Sequence, residues 1–175
     1  MIFVRLSGVF AALLLASTFA TAQSAAKPTD PQIGDIAYTA GQIDVKAAHL
    51  ALVKSKNKAV RSFAKEMVRD HTAVNKKALA LLKKLKVKPE DNFTSRSLVK
   101  QATAERAKLA KLSGAAFDKA YVANEVAYHK EVDNALQNTL IPSASNSQLK
   151  ALLETGLKIF EGHEQHAEHL EHSLK

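Results

Sequence analysis

Apolar residues return at intervals of three and four through most of the chain, and no stretch alternates in the period-two manner of a strand. Ile33, Ile36, Ala37, Ala40, Ile43, Ala47, Leu50 and Ala51 mark a first helix over about 31–55, entered through Asp30 as cap and Pro31 at the first helical position. Val60, Ala64, Met67, His71, Val74, Ala78, Leu81 and Leu85 predict a second over 58–86, ended by Pro89. A shorter amphipathic run over 94–112 carries Leu98, Ala102, Leu109 and Leu112 and stops at Ser113-Gly114. Val122, Glu125, His129, Val132, Leu136 and Leu140 share one line of a helix over 115–140, broken by Pro142. Asn146 or Ser147 caps a last helix over 148–174, striped by Leu149, Leu152, Leu153, Gly156, Ile159, Phe160, His163, Ala167, Leu170 and Leu174.

Four long helices and one short one predict an all-α bundle, and the connections choose its topology. Short turns after the first and fourth segments make those neighbours antiparallel. The 89–113 segment holds the short helix, about 27 Å long at 1.5 Å per residue, enough to travel back along the bundle. One such crossover between the second and third long helices is the ferritin-like arrangement.

The stripes contain polar residues where apolar ones are expected. Asp44, the Asp70-His71 pair, Glu125 with His129, and His163 fall near the midpoints of the four long segments. Packed side by side, these helices bring six metal-capable groups to one level of the core. Glu125 and His129, four residues apart, share a helix face. Neutral imidazoles with carboxylates suit iron, copper, zinc or manganese, and Met67, one turn before His71, favours copper if its sulfur faces the cluster. The competing reading is a structural hydrogen-bond network, with Asp70 holding His71 and Glu125 holding His129. Of the remaining histidines, His166 is placed at the core edge, His169 and His172 on the outer side of the last helix, and His49 off the polar level.

Composition narrows the setting. The sequence has 175 residues and no cysteine, so neither disulfides nor thiolate metal sites are available. Arg5, the apolar run Val9 to Ala16 and the small-residue ending Ala20-Thr21-Ala22 read as a secretory signal peptide over 1–22. A flexible leader over 23–29 and a single helical domain over 30–175 follow, with no membrane span in the mature chain. The formal net charge is +8, and loss of Arg5 leaves 24 basic against 17 acidic residues, or +7. In an exported, periplasmic or envelope-associated protein that excess points to an anionic envelope surface and not to nucleic acid. Arg61, Lys65, Arg69, Lys76 and Lys83 form a basic stripe on the second helix, docking face or ordinary solvated surface. A glycine-rich phosphate loop, a Gly-x-Ser-x-Gly elbow and a cysteine nucleophile are all absent from the sequence.

The string Phe63-Ala64-Lys65-Glu66-Met67-Val68-Arg69-Asp70-His71, the segment Ser113 to Tyr121 leading to His129, and His163 before Ala167 resemble the exported family catalogued as domain of unknown function 4142. The resemblance implies a ferritin-like four-helix bundle in a family whose members often carry membrane or outer-membrane labels. It brings no reaction. A di-iron oxidase of this fold carries glutamates on two helices and Glu-x-x-His on two more, and this chain departs from that pattern. Two functional classes follow: a non-enzymatic envelope-binding or stress-related module, favoured by the low carboxylate count, and a transition-metal protein for storage, sensing or oxidation.

Overall fold

The computed structural model describes residues 27–174, and residues 1–22, read as a signal peptide, with the leader up to residue 26, lie outside the described residues. Helices α1 (Asp30–Lys54), α2 (Lys58–Lys84), α3 (Phe93–Ala110), α4 (Gly114–Ala135), a short α5 (Ile141–Ser143) and α6 (Ser147–Ser173) account for the chain, and no strand occurs among the described residues. None of the described helices is long and apolar enough to cross a membrane.

The ends of the helices establish the path. Asn92, just before α3, bonds the Gln32 carbonyl at the start of α1, whereas Lys54 at the end of α1 donates to the Ala110 carbonyl at the end of α3. Thus α3 runs parallel to α1 and returns the chain to the end where α2 began. From there α4 descends beside α1, and α6 rises against α4 and α2. The second and third long helices are therefore parallel, joined by one helical crossover, as a ferritin-like bundle requires.

Local chemistry corrects several expected boundaries. Thr29, not Asp30, caps α1, and its N–H donates to Gln32 Oε1. Asp30 instead accepts from the backbone N–H of Ser145 and Asn146 and from the Ser145 hydroxyl, tying the α6 entry to the α1 start. Helix α2 stops at Lys84, ahead of Pro89. Lys86 takes a left-handed φ of 57°, and Val87 N–H reaches back to the Leu82 carbonyl, a C-terminal closure that needs no proline. Pro142 does not end the fourth segment cleanly. Helix α4 widens into a π turn at Leu136–Leu140, with Ile141 N–H bonding the Leu136 carbonyl, before α5 follows. Proline has no N–H for the carbonyl four residues back and its ring crowds that oxygen, which the wider turn relieves.

The core has two apolar halves. Phe63, Met67, Phe117, Tyr121, Val122, Val126 and Leu170 fill the half nearer the α1–α2 turn. Ile33, Ile36, Leu136, Leu140, Leu149, Leu153 and Phe160 fill the other. Between them lie the buried polar residues of the mid-helix level. Just beside this level α1 and α2 approach closely at Gly41, where an added Cβ would stand 2.4 Å from Asn75 Oδ1. Gly41→Ala should therefore lower stability by about 1–3 kcal/mol, and Asn75→Ala in the same chain should recover most of that loss, since the clash is with one amide. Chemical denaturation of the two single variants and the double variant measures both effects. Equal losses with and without Asn75 would place the strain elsewhere.

Candidate metal centre

Four helices each project one or two polar side chains into the mid-bundle level. Asp44 comes from α1, His71 from α2, Glu125 and His129 from α4, and His163 from α6. Their exposures are 1%, 2%, 0%, 1% and 3%, so bulk water does not solvate them. Below, the His71 ring stacks on Phe160 with centroids 4.6 Å apart and planes 10° from parallel. The three imidazoles form a triangle with centroids 5.2, 5.5 and 5.7 Å apart.

Second contacts determine which nitrogen each ring offers. His129 Nδ1 donates to the Glu125 backbone carbonyl at 2.9 Å, which leaves the buried Nε2 as an unpartnered acceptor. His163 Nε2 donates to Asp70 Oδ2 at 3.1 Å, which leaves Nδ1 buried and unpartnered. His71 Nε2 lies 3.1 Å from Asp44 Oδ2 but out of line for a hydrogen bond, and His129 Nε2 lies 3.5 Å from the same oxygen. Two donors each about 2.1 Å from one tetrahedral ion stand about 3.4 Å apart, close to the spacing of Asp44 Oδ2 from His71 and His129 Nε2. His71, His129 and His163 each offer a nitrogen within 4.8 Å of the others, and Asp44, Glu125 and His129 form an overlapping group at the same limit.

The electrostatics match that geometry. Burial depresses His71 to about 4, against the opposing pull of Asp44. Burial also lowers His163, with Asp70 acting the other way. Both rings are thus neutral imidazoles near pH 7, the form that binds metal. Burial raises the Asp44 carboxyl, but His71, His129, a hydrogen bond from Glu125 and His163 together outweigh it as the site is acidified and hold Asp44 below its ordinary value. Glu125 is pushed well above the carboxylate range by burial and by the Asp44 charge. Asn124 acts on the Glu125 carboxyl in the opposite direction, lowering it. A cavity of about 390 Å³ between α1, α3 and α4 has Asp44 and Glu125 in its wall, with their carboxylates turned away from bulk water.

The six residues expected at one level thus divide. Asp44, His71, Glu125, His129 and His163 converge. Asp70 sits at the α2–α6 edge, where it orients His163 and not His71, and Arg69 holds it on the outer side at 2.6 and 2.8 Å. Glu125 holds His129 by its backbone carbonyl, with the carboxylate 4.0 Å away. His49 is exposed and apart, as expected, and His166 pairs with Glu66 at 2.8 Å. Met67 packs in the upper apolar cluster. Asn75, buried one turn beyond His71, is a neighbour that the apolar stripe concealed. On the basic stripe, Arg61 bonds the Leu52 and Ser55 carbonyls and Arg69 is engaged by Asp70, leaving Lys65, Lys76 and Lys83 exposed.

Another buried carboxylate, Asp133, lies one turn past His129 and faces Glu161 and Glu164 across the α4–α6 surface. Burial and those two charges raise it to about 7. The native chain therefore keeps a proton that the unfolded chain loses above its ordinary value near 4, so this carboxyl removes stability as pH rises from about 4 to about 7. Asp133→Asn should raise the melting temperature at pH 8 and lose that advantage toward pH 4. Thermal unfolding at both pH values checks the sign, and a variant less stable at pH 8 would contradict it.

Among curated proteins, none matches the chain. A solved structure that does match is a DUF305 protein from Streptomyces coelicolor, named as secreted, with a TM-score of 0.66 at 12% identity over 78% of this chain and 87% of that one. At that identity the likeness speaks for the fold alone. The family model described as domain of unknown function DUF4142 matches residues 15–170, nearly the whole chain. With that span matched, the helical bundle around the buried His-Asp level belongs to the DUF4142 family.

Proposed function

We propose that this is an exported protein that binds one divalent transition ion in the middle of its bundle, through His71, His129, His163 and Asp44. Glu125 stands beside the ion as a fifth donor or as the acceptor that sets its charge. The observation that supports this reading is the set of bare, buried nitrogens. His129 Nε2 and His163 Nδ1 are left without partners because their other ring nitrogens are already bonded, and His71 has no hydrogen bond at either. Asp44 Oδ2 stands 3.1 Å from His71 Nε2 and 3.5 Å from His129 Nε2 without a hydrogen bond to either, a spacing that one ion between them would use.

Three neutral imidazoles and a carboxylate suit zinc and copper(II) best, with iron(II) and manganese(II) lower in the usual affinity order. Four donors complete a tetrahedral shell, the arrangement of sites that hold an ion. Storage, sequestration or sensing of a metal fits this closed centre better than turnover of a substrate. Export rests on the amino-terminal segment read as a signal peptide.

Protein purified without a histidine tag should carry an ion at this site, detected by mass spectrometry of the native protein. His71→Ala and His129→Ala should each abolish that tight equivalent. Added Zn²⁺ at about 100 times its dissociation constant should stabilise the wild-type chain by about 2.7 kcal/mol, a rise of several degrees in melting temperature that the variants lack. Unchanged metal content in both variants would contradict the proposal.

A further inference from the structure

The outward side of His163 carries a second group of donors. Glu66, Asp70 and His163 each offer one ligand atom within 4.8 Å of the others at the α2–α6 groove. His166 borders that group through Glu66, its Nδ1 2.8 Å from Glu66 Oε2. One turn of α2 separates Glu66 from Asp70, and three residues of α6 separate His163 from His166, so each helix presents a pair on its groove face. Phe63, fully buried, meets the His166 ring edge-on at 5.1 Å and fixes its position. Unlike the central level this group meets solvent, with side-chain exposures of 30% for Glu66, 22% for Asp70 and 43% for His166.

From this juxtaposition we infer a second, solvent-facing transition-metal site formed by Glu66, Asp70, His166 and Nε2 of His163, joined to the central ion through the His163 ring. The inference rests on the central level being a metal centre, because the bridge needs an ion at Nδ1 as well. Filling the outer site removes the Nε2 proton that His163 now donates to Asp70. That proton passes to solvent, and the ring bonds one ion at each nitrogen as an imidazolate. Arg69 is the native competitor. It bonds both Asp70 oxygens and lies 3.8 Å from Glu66, so it neutralises the outer carboxylates and must swing away when an ion binds. Its side chain is 68% exposed, which leaves it free to do so.

Cu²⁺ is the probe, since copper ions on one imidazolate couple magnetically. Titration of the full exported chain, followed by native mass spectrometry and electron paramagnetic resonance, should show two equivalents and a spin-coupled signal. The surface variant Glu66→Gln/His166→Ala should bind one equivalent with an uncoupled signal, and His71→Ala in that background should bind none. Arg69→Ala should tighten the second equivalent. Far-UV circular dichroism confirms that each variant remains helical. One equivalent in the wild type, lost in His71→Ala and untouched in Glu66→Gln/His166→Ala, would overturn the outer site and leave the central one standing. One equivalent lost only in Glu66→Gln/His166→Ala would overturn the central reading and the bridge together. Two equivalents without coupling would overturn the shared histidine.

Discussion

Polar groups enclosed between two apolar half-cores are the constraint on which this bundle turns. A buried donor or acceptor without a partner costs about 1–3 kcal/mol, and a domain's whole stability is only about 5–15 kcal/mol. Asp44, His71, Glu125, His129 and His163 place several such groups at one level. Apolar substitutes of similar volume would pack there without that penalty. A metal ion would remove the penalty by engaging the same lone pairs, which the four helices hold together away from bulk water.

The crossover geometry makes this convergence possible. Because α3 carries the chain back along α1, α4 and α2 run in the same direction, and the ring of His129 meets that of His71 across the bundle. The small residues on α1 let it lie close. Gly41 leaves room for the Asn75 amide, and Ala40 supplies the carbonyl that the half-buried Tyr128 hydroxyl donates to. The widened turn at Leu136–Leu140 lies two turns beyond His129, so the strain of Pro142 is absorbed away from the centre.

Much of this was legible in the residue pattern because helix periodicity reports which face of each element is buried. His71 and His129 stand in their stripes where Leu or Val would otherwise sit, and midpoint counting places Asp44, Glu125 and His163 at the same height. Periodicity does not report which helix lies opposite which side chain. Periodicity sets Asp70 about 100° round from His71 on α2, but only the packing brings His163 of α6 to it, at 3.1 Å. Asn75 escaped notice for the same reason, its burial depending on a glycine of another helix. The cap at Thr29 and the left-handed Lys86 depend on backbone closure, which residue type only weakly encodes.

The central claim is that the unpartnered atoms of the mid-bundle level share an ion. A crystal structure of the native, metal-loaded protein, with anomalous scattering recorded at the absorption edge of the bound element, tests it most directly. The account predicts an anomalous peak at about 2.0–2.2 Å from His129 Nε2, His163 Nδ1, a His71 nitrogen and an Asp44 oxygen. Peaks confined to the surface, with the buried imidazoles linked by ordered water or by direct hydrogen bonds, would contradict it.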